Sequence, residues 1–246
     1  MLTSPESKKQ QQQETKMVAS PRRIQPGNSE LSKTERVYQN LRRRIRELEL
    51  PPGSRLQKNE IADELGVSRA PVNEAIAKLS EEGLIDVFPQ SGSFVAPIRP
   101  EDIRESMLIR TGLEVEAVRR ITMMPDTSDL LNRLDANLAQ QTQALEKNDI
   151  AWLDTLDEEF HNTLYSVLNA PKVHRLLDTC RALLDRPRFK TLWEAGRPFA
   201  TLKEHQRIVD AIRTGDPEYA GQAMRLHLRM VAKSVEGDLP NLSEAG

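Results

Sequence analysis

Apolar residues recur every three or four positions along most of this chain, and the breaks in that rhythm mark its organisation. Val37, Leu41, Ile45 and Leu48 stand at helical spacing. The segment opens on Ser32-Lys33-Thr34-Glu35, a capping-box pattern, and Pro51-Pro52-Gly53 ends it. Ile61, Ala62 and Leu65 predict a short second helix over 60–66, with Gly66 supplying the turn. Ser68 caps a third helix that tolerates Pro71 in its first turn and lines up Val72, Ile76 and Leu79. After Gly83 the period falls to two. Leu84 to Phe88 and Ser93 to Val95 flank Pro89-Gln90-Ser91-Gly92, which predicts a β-hairpin.

Arg99-Pro100 marks a linker, and beyond it the helical rhythm returns. Pro100 starts a helix with Glu101 and Asp102 near its positive end. Further helices are predicted at about 128–147, 149–169, 171–186, 200–214 and 217–235, while 186–199 reads as helix or loop. Asn169-Ala170-Pro171 and Thr214-Gly215-Asp216-Pro217 are clear junctions. The expected fold is therefore mainly α: an N-terminal winged helix-turn-helix, then a C-terminal all-α bundle of about six helices. Residues 1–30 read as a disordered arm, 31–98 as the winged helix-turn-helix domain, 99–238 as the all-α domain, and 239–246 as a flexible tail.

Composition narrows the class. The 246 residues suit two domains of ordinary size, and 4% aromatic content favours helices packed through Leu, Ile, Val and Ala. A net charge of -2 excludes a uniformly basic nucleic-acid binder, so any attraction to DNA must be local. The one cysteine, Cys180, rules out an internal disulfide and an all-thiolate metal site. No apolar run approaches membrane-spanning length, and the expected location is the cytoplasm, with no membrane partner.

The third helix carries the candidate DNA chemistry. An exposed helix N-terminus favours phosphate, and its first side chains reach base edges. The candidates are Ser68, Arg69, Ala70 and Asn73. Arg69 suits guanine O6 and N7, Asn73 suits adenine N6 and N7, and Ala70 a thymine methyl. Arg42, Arg43, Arg44 and Arg46 crowd the first helix; they form either a solvated face paired with Glu47 and Glu49 or, Arg44 among them, contacts to the DNA backbone. Gly92 lets a wing tip approach the minor groove, or is simply a turn glycine. Residues 36–97 resemble the GntR-type winged helix-turn-helix, through Leu50-Pro51-Pro52-Gly53-Ser54-Arg55-Leu56, Leu65-Gly66-Val67-Ser68-Arg69, Glu82-Gly83-Leu84 and Gly92-Ser93-Phe94-Val95. That family usually has Arg where this chain has Asn73, which changes the base preference the resemblance implies.

The helical region places ionisable groups on apolar stripes. Arg110 and Glu114 fall among Ile103, Met107, Ala117 and Ile121. Asp157 and His161, four apart, share a face with Leu164 and Leu168. His205 aligns with Leu202, Val209 and Ile212, and His227 with Ala220, Met224 and Val231. Buried alone, such groups cost several kcal/mol, so they need partners. Periodicity leaves two readings open, hydrogen-bonded core residues or a metal site shared by all four. His174 has no partner signal and reads as surface.

Residues 100–236 also resemble the FCD domain, through Arg110 with Glu114, Asp157-Glu158-Glu159-Phe160-His161, Glu204-His205 and Ala223-Met224-Arg225-Leu226-His227-Leu228. About six helices fit its smaller, VanR-like version better than the FadR-like one. The resemblance implies a divalent metal on Asp157, His161, His205 and His227, and a carboxylate effector held by Arg110 or, alternatively, an Arg110–Glu114 structural pair. Three imidazoles and one carboxylate suit Zn, Ni, Mn or Fe. The function so implied is a homodimeric regulator that binds double-stranded operator DNA, a repressor relieved by a small organic acid near the metal. Two alternatives stand beside it: a transcription factor whose metal is purely structural, and a metal-dependent hydrolase fused to a DNA-binding head.

Overall fold

A computed structural model describes residues 31–191 and 197–236. The arm over 1–30 and the tail over 239–246 lie outside the described residues. Helices α1 (Lys33–Arg46), α2 (Lys58–Leu65) and α3 (Arg69–Glu81) are followed by strands β1 (Ile85–Phe88) and β2 (Gly92–Val95). The strands pair antiparallel with Phe88 opposite Gly92 and Ile85 opposite Val95. Arg55 bridges to Phe94 and adds a third edge to the hairpin. Six helices then form the remainder: α4 (Pro100–Thr122), α5 (Ser128–Glu146), α6 (Ile150–Ser166), α7 (Pro171–Thr191), α8 (Arg197–Arg213) and α9 (Pro217–Glu236).

The elements arise where the sequence places them, with a few shifts. Helix α2 starts at Lys58, two residues before the expected 60, and Gly66 closes it in the left-handed region at φ 63°. Ser68 stands at the N-cap of α3 with an extended backbone, but its side chain makes no cap hydrogen bond, contrary to expectation. Helix α6 ends at Ser166 rather than near 169, before Asn169 turns left-handed at φ 47°. In the ambiguous stretch, α7 runs on to Thr191 and α8 begins at Arg197.

Two apolar cores result. The N-terminal one gathers Val37, Leu41, Ile45, Val72, Ile76, Leu79, Leu84 and Ile85. Each fully buried aliphatic side chain contributes about 1.5–3 kcal/mol, so these positions hold the three helices and the wing as a unit. The second core runs between α4, α5, α6, α7, α8 and α9, around Val118, Ile121, Leu134, Phe160, Leu164, Ile208 and Leu228. Helix α7 belongs to both: Leu177 and Leu184 enter the second core, and Ala182 enters the first. Buried Arg186 donates from Nη1 to the Ala96 carbonyl at 2.6 Å, fixing α7 against the end of the wing.

Candidate nucleic-acid interface and metal centre

The exposed N-terminus of α3 carries Ser68, Arg69, Ala70 and Asn73 at the surface, because Pro71, Val72 and Ala75 turn inward to the core. Arg69, Asn73 and Gly92 line one open cleft of about 390 Å³ together with Arg55, Gln57, Lys58 and Asn59. Sequence reasoning misses the last four. Arg55 falls within the matched Gly-Ser-Arg-Leu segment, so a signal for it exists. The Gly92 backbone is left-handed at φ 117°, and a Cβ there would lie 3.3 Å from Arg55 Nε. Glycine therefore lets the wing tip and Arg55 share the cleft.

The arginine run on α1 divides. Arg44 Nη1 lies 3.1 Å from Glu64 Oε2 on α2. Arg43 is held by Glu47 at 2.5 Å and Glu49 at 2.7 Å. Arg42 and Arg46 turn away from any DNA face toward the C-terminal helices: Arg42 reaches Asp178 at 3.0 Å, and Arg46 reaches Glu158 at 2.9 Å and Asp154 at 3.5 Å. Glu158, beside Asp157 in sequence, thus serves the junction with α1.

In the helical bundle three imidazoles converge. One ligand nitrogen from each of His161, His205 and His227 falls within 4.8 Å of the other two, and all three residues are buried. Their ring centroids are 5.0 to 5.4 Å apart. Helix spacing brings this about: His161 follows α6 inward, and His205 and His227 face it from α8 and α9. Phe160 stacks on His205 with centroids 4.1 Å apart, closing one side. Asp157 stands just outside the trio, with Oδ1 3.6 Å from His205 Nε2.

Two of the imidazoles turn Nδ1 outward to an acceptor. His227 Nδ1 lies 2.9 Å from Glu204 Oε2; an ionised carboxylate only accepts, so Nδ1 carries the proton. Glu204 in turn receives Arg197 at 2.7 Å. His205 Nδ1 lies 3.2 Å from Gln141 Oε1, Gln141 Nε2 donates to Asn137 Oδ1 at 2.6 Å, and Asn137 Nδ2 donates to the Leu156 carbonyl at 3.0 Å. The carbonyl at the end cannot donate, so the whole relay runs one way and again puts the proton on Nδ1. His161 Nδ1 lies 3.5 Å from Glu114 Oε2 without a hydrogen bond. The Nε2 lone pairs of His205 and His227 are thereby left for the interior, and buried His227 Nε2 has no hydrogen-bond partner among the described residues. An orphaned imidazole lone pair beside two others fits a divalent cation, and oriented outer acceptors are what metal-binding histidines use.

Glu114 is the hub of the remaining charge. It accepts from Arg110 Nε at 2.5 Å and from the Tyr165 hydroxyl, and Arg181 Nη2 lies 3.8 Å away. Burial opposes ionisation of Glu114, but Arg110 and Arg181 outweigh it and hold the carboxyl below its ordinary range. Burial, then Arg181 and the neighbouring imidazoles, push His161 well below 6.5. Sequence reasoning does not single out Gln141, Asn137, Glu204, Tyr165 or Arg181 as ligand-orienting groups. Gln141 carries a signal all the same, since it interrupts the stripe Leu134, Leu138, Ala144 on α5. His174 is half-buried on the rim of an open groove with Asn162 and Thr163, away from the trio.

Comparison with known proteins agrees with this geometry. Residues 33–95 match the bacterial regulatory proteins of the gntR family, and residues 105–230 match the FCD domain. An uncharacterized HTH-type transcriptional regulator in an unstable DNA locus of Streptomyces ambofaciens is 34% identical over 200 residues, 81% of this chain and 84% of that protein. The HTH-type transcriptional repressor RspR of Escherichia coli K12 is 32% identical over 82% of this chain and 88% of its own length. A solved putative GntR regulator from Rhodococcus sp. RHA1 covers 84% of this chain and 99% of that one, with a TM-score of 0.70 and 27% identity. The structure of E. coli McbR/YncC, with a TM-score of 0.73 over 85% of this chain and 99% of that one, is 22% identical and carries the fold alone. No described helix is long and apolar enough to cross a membrane. The relatives are regulators and not enzymes, so the hydrolase reading falls. The chain belongs to the GntR family: it is a DNA-binding transcriptional regulator with a C-terminal FCD domain.

Proposed function

We propose that this regulator is a homodimeric repressor whose operator affinity is lowered by a small organic acid bound beside a divalent metal in the FCD domain. The observation that carries this reading is the convergence of His161, His205 and His227, with Nδ1 of His205 and of His227 turned outward to an acceptor, in the same chain as a winged helix. The three imidazoles would hold the ion, with Asp157 closing on it from beside His205. A bound ion would supply a Lewis-acidic point for a carboxylate oxygen. Zn, Ni, Mn and Fe all suit the donor set. On the DNA side, Arg69 and Asn73 would read base edges, Ser68 and Ala70 would sit against the backbone and a thymine methyl, and Gly92 would admit the wing to the minor groove. Arg44, tethered to Glu64, would contribute at most a long-range field. Repression is supported by the name of RspR, a repressor 32% identical to this chain. As a two-fold dimer it would read a near-palindromic site.

One observation favours a second reading, in which the metal only staples the bundle. The enclosed cavity beside Asp157, lined by Gln141, Leu153 and Thr201, measures about 10 Å³, room for about one water. An effector would have to open it. The experiment is a fluorescence-anisotropy titration of the metal-loaded protein on fragments of its own upstream region, repeated with a panel of small carboxylates and after chelation. Release by one acid supports the effector reading. Binding that ignores every acid and changes only on chelation supports the staple.

A further inference from the structure

We infer that Arg181, not Arg110, is the residue that receives the effector's carboxylate. This rests on the reading above and adds the receptor to it. Arg110 is committed: its Nε donates to Glu114 Oε1 at 2.5 Å, and its side chain is 3% exposed. Arg181 is not. Its Nη2 stays 3.8 Å from Glu114 Oε2, beyond hydrogen-bond length, and that oxygen already accepts from Tyr165. Both Nε and Nη2 of Arg181 are buried with no hydrogen-bond partner, and it is the only arginine among the described residues with two such nitrogens. Charged donors without a hydrogen-bond partner are expensive to bury, so an acceptor placed at these two nitrogens is favoured.

Charge points the same way. Without an ion the three guanidinium groups of Arg110, Arg181 and Arg197 are matched by the carboxylates of Glu114, Asp157 and Glu204. A divalent cation on the imidazoles would leave a positive surplus, and an incoming anion would offset it. A carboxylate is the planar acceptor that matches two parallel guanidinium N–H groups. The Arg181 side chain is 11% exposed, and its guanidinium carbon lies 5.4 Å from the Tyr165 ring centroid. The ligand is accordingly a small carboxylic acid, gripped at one end by Arg181 and lying next to His161.

The test uses the full-length protein loaded with zinc and freed of excess metal, with acetate and succinate as probes. Zinc content is measured by elemental analysis and anion binding by thermal shift and calorimetry. Wild type is expected to gain thermal stability with at least one acid. Arg181→Gln should lower that acid's affinity about tenfold to a hundredfold, with Arg181→Lys in between, as loss of a charge-assisted pair implies. Without metal or acid, Arg181→Gln should melt close to the wild-type temperature, because the relief of two buried donors without hydrogen-bond partners offsets the charge lost beside Glu114. A wild type that takes up no zinc overturns the metal reading. Zinc uptake with acids that stabilise neither protein, or both equally, overturns the Arg181 assignment alone. So does a zinc-free Arg181→Gln that melts several degrees lower, or a variant that loses its zinc, since either makes Arg181 a structural ion pair. If Arg181→Gln does not fold, that too makes the residue structural.

Discussion

Arg42 meets Asp178 twice, as an ion pair with its carboxylate at 3.0 Å and as donor to its main-chain carbonyl at 3.1 Å. This ties α1 of the winged helix to α7 of the FCD domain. One turn on, α7 sends Ala182 into the N-terminal core and Arg181 toward Glu114. The same helix thus touches the DNA-binding core and the charged hub beside the histidines. The side-chain half of this grip should be measurable. The Asp178 side chain is 37% exposed, so solvent screening holds the coupling to about 0.5–1 kcal/mol. A double-mutant cycle of Arg42→Ala and Asp178→Ala, read by urea denaturation, should return that coupling. Strict additivity would mean the seam does not form in solution.

The cleft between α2, α3 and the wing separates two ways of holding DNA. Arg69→Ala and Asn73→Ala should each cost about 1–3 kcal/mol on the operator and relax preference at one base position. Arg55→Ala and Lys58→Ala should weaken all sequences alike and lower the salt-dependence slope by about 0.9 for each phosphate no longer neutralised. Anisotropy titrations at several salt concentrations on operator and scrambled duplexes distinguish the two. Loss of sequence preference in Arg55→Ala would reverse the assignment.

How much of this is legible in the sequence depends on whether the signal is local. The Gly66 turn, Pro71 in the first turn of α3, the hairpin and Pro100 at the start of α4 are local effects, and each element forms where the residues demand. The four ionisable stripes are legible because a charge at a buried helical position is an anomaly within one helix. What joins different helices is not. Arg42 and Arg46 read as solvent-facing on α1 alone, and only the placement of α6 and α7 gives them Glu158 and Asp178. Likewise the relay through Gln141 and Asn137 depends on how α5 docks against α6 and α8, which no spacing on one helix encodes.

That relay makes a prediction about metal affinity. His205 is oriented by Gln141, Gln141 by Asn137, and Asn137 by the Leu156 carbonyl. Gln141→Leu removes the acceptor for Nδ1 without changing a ligand, and Glu204→Gln replaces the carboxylate behind His227 with a neutral amide. Each should weaken zinc binding about tenfold to a hundredfold. Competition with a chromogenic chelator measures it, and circular dichroism verifies that the helices persist. Wild-type affinity in both variants would mean the imidazoles need no outer partner.

The last prediction concerns pH in the metal-free protein. Burial first, and then the positive charge of Arg181, depress the folded pKa of His161 well below 6.5. In the unfolded chain His161 titrates near its ordinary value of about 6.5. Below that pH the unfolded state takes up a proton that the folded state refuses, so stability is complete above about pH 6.5 and declines as pH falls from there. The Glu114 carboxylate, held below its usual range, adds a separate loss only at lower pH, beneath its ordinary value of 4.5. The melting temperature should therefore be level between about pH 7 and 8 and fall between about pH 6.5 and 5, before the carboxylates titrate. His161→Phe should flatten that decline, because an apolar ring has no proton to take up. A wild-type melting temperature that stays level down to about pH 5 would mean the imidazole is not kept neutral by its surroundings.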